Sequence, residues 1–289
     1  TVNVDDAEAT VTTQVTAFGS NGFTVGSNNG ANGSSDNLVA WQWKANGGTT
    51  SSDSNGDITS TVQANTTAGF SIVTWTGNGT DGNSVGTGLS GIWDLVIFKN
   101  RSAGDYWTVD YDPTSGDNKI LLLHDQVGQA GHGTAHVRGP SSGLMSLHSN
   151  GDLTMVNGSS ENYVAYVFKQ VQGFSKFGTY TGTANADGPF IYTGFKPAWV
   201  MIKEQDYGNN NQWNIYDNKR SPVNPMDEIL EADTADAEST GRADIDFLSN
   251  GFKNRSTHAE CNRNNVTFRY MAFAEHPYVS SKGVPTTAR

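Results

Sequence analysis

Ser84 lies at the centre of Gly82-Asn83-Ser84-Val85-Gly86, a G-x-S-x-G run of the kind that presents a nucleophilic serine on a strained turn between a strand and a helix. No helical pattern follows it, and a glycine-rich chain produces such matches by chance. Gly77-Asn78-Gly79-Thr80-Asp81-Gly82 fits G-x-G-x-x-G, but a dinucleotide fingerprint needs a strand before it and a helix N-terminus after it. Here the run reads as a loop between antiparallel strands. His124, His132 and His136 share one glycine-rich stretch ending at Arg138, and neutral imidazoles there are able to ligate a metal. Their spacing matches no ligand pattern. His132 and His136 stay as the metal candidates, the simpler reading is a solvated loop, and no metal site is assigned. Asp53-Ser54-Asn55-Gly56-Asp57 offers several oxygens without the order or the final glutamate of an EF-hand, so it reads as a turn.

Glu231, Asp233, Asp236 and Glu238 are the densest carboxylates. A glycosidase needs two carboxyl groups roughly 5 to 9.5 Å apart across a groove, and closeness in sequence does not supply that. The segment reads as a solvated acidic stretch. Aromatic residues are plentiful, with 7 Trp, 10 Tyr and 13 Phe. Tyr106, Trp107, Tyr207 and Trp213 fall in loops or at strand ends, where a ring can stack on the C–H face of a sugar, and they are the ligand-binding candidates. No arrangement of nucleophile, base and orienting group emerges. The expectation is a protein that is not an enzyme and needs no cofactor.

The elements that position these residues are strands. Phe70 to Trp75, Trp93 to Phe98 and Trp199 to Lys203 are short apolar or alternating runs bounded by Gly, Asn or Pro, the pattern of β-structure. Met226, Ile229 and Leu230, with Asp227 and Glu228 near the start, predict one short helix over 225–238. The 18 Lys and Arg against 29 Asp and Glu give a net charge of −11, which lacks the basic footprint of a nucleic-acid binder. The longest apolar run, Ile92 to Phe98, is interrupted by Asp94 and is far short of the ~20 residues that span a bilayer. Neither nucleic acid nor membrane insertion is expected. The single cysteine, Cys261, leaves no intrachain disulfide, so stability must come from packed sheets.

Self-similarity organises the chain. Gly69-Phe70-Ser71 and Gly173-Phe174-Ser175 open two similar stretches, 104 residues apart (173 − 69). Each is followed by a strand ending in lysine, Leu95 to Lys99 and Trp199 to Lys203, and then by an aromatic strand around Trp107 or Trp213. The closing part occurs three times, as a Ser-Asn-Gly turn leading to Leu38 to Trp43, to Tyr163 to Phe168 and to Tyr270 to Phe273. Its alternation places Val39, Trp41 and Trp43 on one face of a core strand. Residues 1–48 therefore read as the back half of a unit, cut from or continued in a longer chain. Residues 49–66 read as a polar linker, and 67–171 and 172–289 as two β-units. The predicted fold is all-β, with tandem antiparallel β-sandwich, jelly-roll-like units of about 100 residues.

The segments Val39-Ala40-Trp41-Gln42-Trp43-Lys44-Ala45-Asn46-Gly47, Gly69-Phe70-Ser71-Ile72-Val73 and Ala272-Phe273-Ala274-Glu275-His276-Pro277 together resemble the repeat-bearing C-terminal domain of large tail or tail-fibre proteins of marine phages and cyanophages. The resemblance covers essentially the whole chain and carries over no catalytic or ligand residue. It implies a protein of the virion surface, in a tail fibre or related appendage, with other virion proteins as partners, homo-oligomeric and by preference trimeric. Adhesion to a bacterial surface glycan is the expected activity. A purely structural capsid-decorating or appendage-building protein is the alternative, and a polysaccharide depolymerase a remote one.

Overall fold

The computed structural model describes residues 3–46, 48–114, 119–126, 128, 135–149, 151–206 and 211–276. The chain begins with a hairpin, β1 (Val15–Phe18) and β2 (Phe23–Val25), and one helical turn, α1 (Asn29–Asn32). The first unit follows with β3 (Ser51–Asp53), β4 (Ser60–Asn65), β5 (Phe70–Thr76), β6 (Ser84–Gly86), β7 (Leu95–Asn100), β8 (Thr108–Asp110), β9 (Leu121–Leu122), β10 (Ala135–Arg138), β11 (Leu144–Ser149), α2 (Thr154–Asn157) and β12 (Asn162–Phe168). The second holds β13 (Ser175–Thr181), β14 (Phe190–Tyr192), β15 (Pro197–Glu204), β16 (Asn214–Asp217), β17 (Leu230–Glu231), β18 (Ile245–Leu248), β19 (Gly251–Asn254), α3 (Ala259–Asn262) and β20 (Thr267–Ala274). All ladders are antiparallel apart from an isolated parallel bridge, Ile58 to Val85.

The two units share one topology. The larger sheets run β5-β12-β7-β8-β9 and β13-β20-β15-β16-β17, the first extended at its edge by β4 and β3. The smaller sheets run β10-β11-β6 and β18-β19-β14. The closing strands β12 and β20 are central in their sheets. Tyr163 pairs with Trp75 on one side and Asn100 on the other, and Phe268 likewise pairs with Tyr180 and Glu204. The ring of Trp75 stacks on Tyr163 with centroids 5.2 Å apart, and Tyr180 on Phe268 at the same 5.2 Å.

Strand alternation gives each larger sheet two apolar faces. In β7, Val96 and Phe98 face the smaller sheet of their own sandwich, whereas Leu95 and Ile97 face away. In β15, Val200 and Ile202 point inward, and Trp199 and Met201 outward. The outward faces meet in a third core, in which Leu95, Val109 and Leu121 of the first unit join Met201, Trp213 and Met271 of the second. This two-sided burial explains why these strands read as nearly continuous apolar runs. Among the described residues no helix is long and apolar enough to cross a membrane.

Three expectations need correction. Residues 225–238 are not helical: Met226 bridges to Ile245, Ile229 bridges to Ser239, and Leu230 and Glu231 form β17. The apparent helical spacing arises from two separate anchors, Met226 and Ile229, sunk into the second unit's core at 2% and 1% exposure. Asn224 fixes the approach by exchanging hydrogen bonds with the backbone of Phe247. Residues 49–66 are not a linker but hold the edge strand β3 and its neighbour β4, and polar side chains on them bond to the backbone at and just after β6. Ser60 is buried and donates to Gly86 O at 2.7 Å, and Asp53 accepts from Gly88 N at 3.1 Å. Finally, residues 38–43 form no strand. Leu38 and Val39 are exposed, while Trp41 and Trp43 are half-buried against the core between the units.

Candidate functional site

The aromatic candidates separate by what covers them. Trp213 enters β16 at 2% exposure. Its backbone N–H donates to Asp233 Oδ1 at 3.0 Å, its Nε1 donates to Leu122 O in the other unit at 2.8 Å, and Lys203 Nζ lies 5.5 Å from the ring centroid. It is a contact between units rather than a platform for a sugar. Trp107, at the equivalent place before β8, is half-buried and lies 6.5 Å from the Tyr166 ring. Its N–H donates to His124 Nδ1 at 3.3 Å. Tyr106 is exposed and stacks on His124, centroids 5.1 Å apart. Burial pushes the His124 imidazole below its ordinary pKa. Tyr207 and His132 lie outside the described residues.

Trp107 faces a groove of about 760 Å3 between the larger sheets. Ile72, Ile97, Trp107 and Tyr166 of the first unit form one wall, and Ile215 and Leu230 of the second form the opposite one. Trp41 and Trp43 line it from the segment that precedes β3. Thr234 and Asp236 stand on the polar side with Glu231, whose carboxyl is pushed up by burial and by Glu260, with Arg242 3.9 Å away. The surface is chiefly apolar and aromatic, suited to burying side chains and poor in the convergent polar groups that orient a small ligand.

The acidic residues serve separate partners. Asp233 is buried and its carboxyl, raised chiefly by that burial, accepts the Trp213 N–H. Glu238 pairs with Arg220 at 2.8 Å. Asp236 is exposed. Ser84 opens β6, is buried, and donates through Oγ to Asp57 Oδ2 at 2.8 Å. Asp57 also accepts the Ser84 N–H, and those bonds hold its carboxyl below the ordinary range. The serine therefore lies in a strand, tied to a carboxylate. In the other glycine run, Gly77 and Gly79 donate to Glu161 O and Asn157 O.

His136 is buried in β10 and stacks on His148 of β11, centroids 5.3 Å apart. Burial, then Arg138 and His148, push it down to about 4. Among the described residues no group of three or more His, Cys, Asp or Glu is placed to hold a metal ion. Cys261 is buried and free, its thiol raised by burial.

Two pairs of residues escaped the reading of the sequence. Lys99 and Lys203, at the ends of β7 and β15, are buried at 4% and 0% exposure. Lys99 Nζ donates to Asp5 O at 2.9 Å, and Lys203 Nζ to Asp125 O at 3.1 Å, so each ties its strand to the backbone of the preceding stretch. Asn157 and Asn262, closing α2 and α3, are fully buried. Asn157 receives Asn78 N and donates to Thr80 O, and Asn262 receives Thr183 N and donates to Asn185 O. The signal for both pairs was their recurrence in the repeat. A polar residue kept at matching places in two copies invites a search for a shared buried partner.

A family model described as a domain of unknown function, DUF7483, matches residues 1–277, and the chain belongs to that family. No curated protein and no solved structure matches it.

Proposed function

We propose that this member of the DUF7483 family is a structural module of a phage particle, built into a tail fibre or related appendage. The observation that carries the reading is the use made of the aromatic residues. Trp213 bonds one sandwich to the next, and Trp199 packs on Trp43 in the core that the two units share, instead of facing solvent, which turns tandem repeats into one stiff body. The resemblance of three segments to marine-phage tail proteins supplies the setting. The separate commitments of Glu231, Asp233 and Glu238 favour a protein that is not an enzyme. Immunogold electron microscopy with antibody against the chain, on purified particles of a phage that encodes it, tests the reading. Label at the tail or its appendages is the expected result, and particles free of label would overturn it.

Attachment to a bacterial surface glycan is a second reading, favoured by Tyr106, 37% exposed and backed by the His124 ring. An exposed, supported aromatic face is what stacking on a sugar requires. Under this reading the fluorescently labelled chain binds host cells and Tyr106→Ala weakens binding at least tenfold. No binding by the parent chain leaves the structural role alone.

A further inference from the structure

The contacts between units repeat in a cyclic order. Lys99 of the first unit holds the carbonyl of Asp5, and Lys203 of the second holds that of Asp125. Asp5 stands ten residues before β1 and Asp125 ten before β10. The hairpin β1-β2 and α1 match the order of β10, β11 and α2, and of β18, β19 and α3. The ends of the three closing segments, Trp43, Phe168 and Phe273, touch one another, with centroids 6.5, 5.4 and 6.1 Å apart. Three equivalent residues meeting at one point describe a pseudo-three-fold arrangement of two whole units and one back half.

The groove falls where that arrangement is incomplete. In the interface between the two units, Leu95, Val109 and Leu121 pack with Phe177, Met201, Trp213 and Met271. Strand register makes Ile72, Ile97, Trp107 and Tyr166 the first-unit equivalents of that second group. These four are half-buried and line the groove, whereas of their equivalents Met201, Trp213 and Met271 are 5%, 2% and 3% exposed and only Phe177 is half-buried. Ile215 and Leu230, the equivalents of Val109 and Leu121, form the opposite wall. The segment 38–43 shows the same deficit. Its counterparts β12 and β20 are each paired on both sides, yet residues 38–43 make no backbone hydrogen bond to any described residue and leave both backbone edges open to a pairing strand.

We propose that the groove seats a third front half-unit, equivalent to residues 69–122 and 173–231, whose strands pair with both edges of 38–43. The occupant is polypeptide joined ahead of Asp5. At the equivalent place Asp125 follows β9 by three residues, a connection that a front half joined ahead of Asp5 would reproduce. A second copy of the chain is a poorer fit, because its own front halves are locked between two cores. A sugar is poorer still, because few polar groups converge on the groove to orient it.

Hydrogen–deuterium exchange on three proteins tests this: the chain itself, the chain with residues 172–231 fused ahead of Asn3, and the chain with residues 68–122 fused there. In the parent, the amides of 38–43 exchange at close to the open-chain rate at every protein concentration. In at least one fusion they slow at least 100-fold, toward the protection of β12, and iodide quenching of tryptophan fluorescence falls. Slow exchange of 38–43 already in the parent overturns the proposal, and if it grows with concentration the occupant is a second copy. Unchanged exchange in both fusions overturns it as well, whatever state the added strands adopt.

Discussion

Asn157 and Asn262 act as buried clamps, each closing a short helical turn while bonding the loop that follows the first or second unit's opening strand. Removing such a side chain leaves amide and carbonyl groups without partners, at roughly 1 to 3 kcal/mol for each unsatisfied group. Asn157→Ala and Asn262→Ala should therefore each lower stability by about 3 kcal/mol, measured by urea denaturation. The neighbouring glycines show how close the backbones run: a Cβ at Gly77 would lie 2.1 Å from Gly158 O, and one at Gly182 2.2 Å from Arg263 O. Gly77 was visible in the sequence as part of a glycine run, but its chemistry was not, because a run of glycines looks alike whether it cradles a phosphate or a carbonyl. Two buried ionisable groups set opposing pH dependences. Burial raises Asp110 from 3.8 to about 7, so the native state binds its proton more tightly, and stability from this group is lost as pH rises from about 4 to 7. His136 falls from 6.5 to about 4, so the unfolded state binds the extra proton and stability rises with pH over nearly the same window. Asp110→Asn removes the first contribution, worth up to about 4 kcal/mol by linkage. Melting temperatures between pH 4.5 and 7 should rise more steeply with pH in this variant than in the parent.

At the scale of elements, the larger sheets are cores on both faces, and Trp213 bridges them through its ring and its bond to Leu122 O. Trp213→Ala should cost about 3 to 5 kcal/mol, as large-to-small core changes do. Trp213→Phe should cost less, mainly the lost hydrogen bond and part of the buried area. Guanidinium titrations of the two variants check the order. The strands themselves were legible, since β5, β7, β12, β15 and β20 carry bulky apolar residues between turn signals. The polar strands β3 and β4 were not. Ser51, Ser52 and Ser60 belong to β3 and β4 because the sheet supplies their partners, and polar composition alone resembles a linker. Residues 225–238 failed for the converse reason, as two bridge anchors three residues apart imitate a helical face.

For the whole molecule, the core between the units contains residues from both, and its buried members are 1–8% exposed although a groove opens at its side. Such a shared core couples the two units, whereas domains that meet through small polar interfaces unfold apart. Calorimetry should accordingly record one transition for both units, with the calorimetric and van't Hoff enthalpies equal, and Trp213→Ala should make the van't Hoff value the smaller. The tandem organisation was legible because each copy keeps its opening, middle and closing segments in order. The groove was not, since it depends on which faces lack a neighbour in space.

The meeting of Trp43, Phe168 and Phe273 has a consequence for how such a surface can vary. A homotrimer shows every loop three times, and any substitution appears at all three places together. Here the equivalent loops are separate stretches of one polypeptide, so His124 occupies in one the position that Asp233 holds in another. Symmetric packing is kept at the centre, while each rim is free to acquire its own shape and charge by independent mutation.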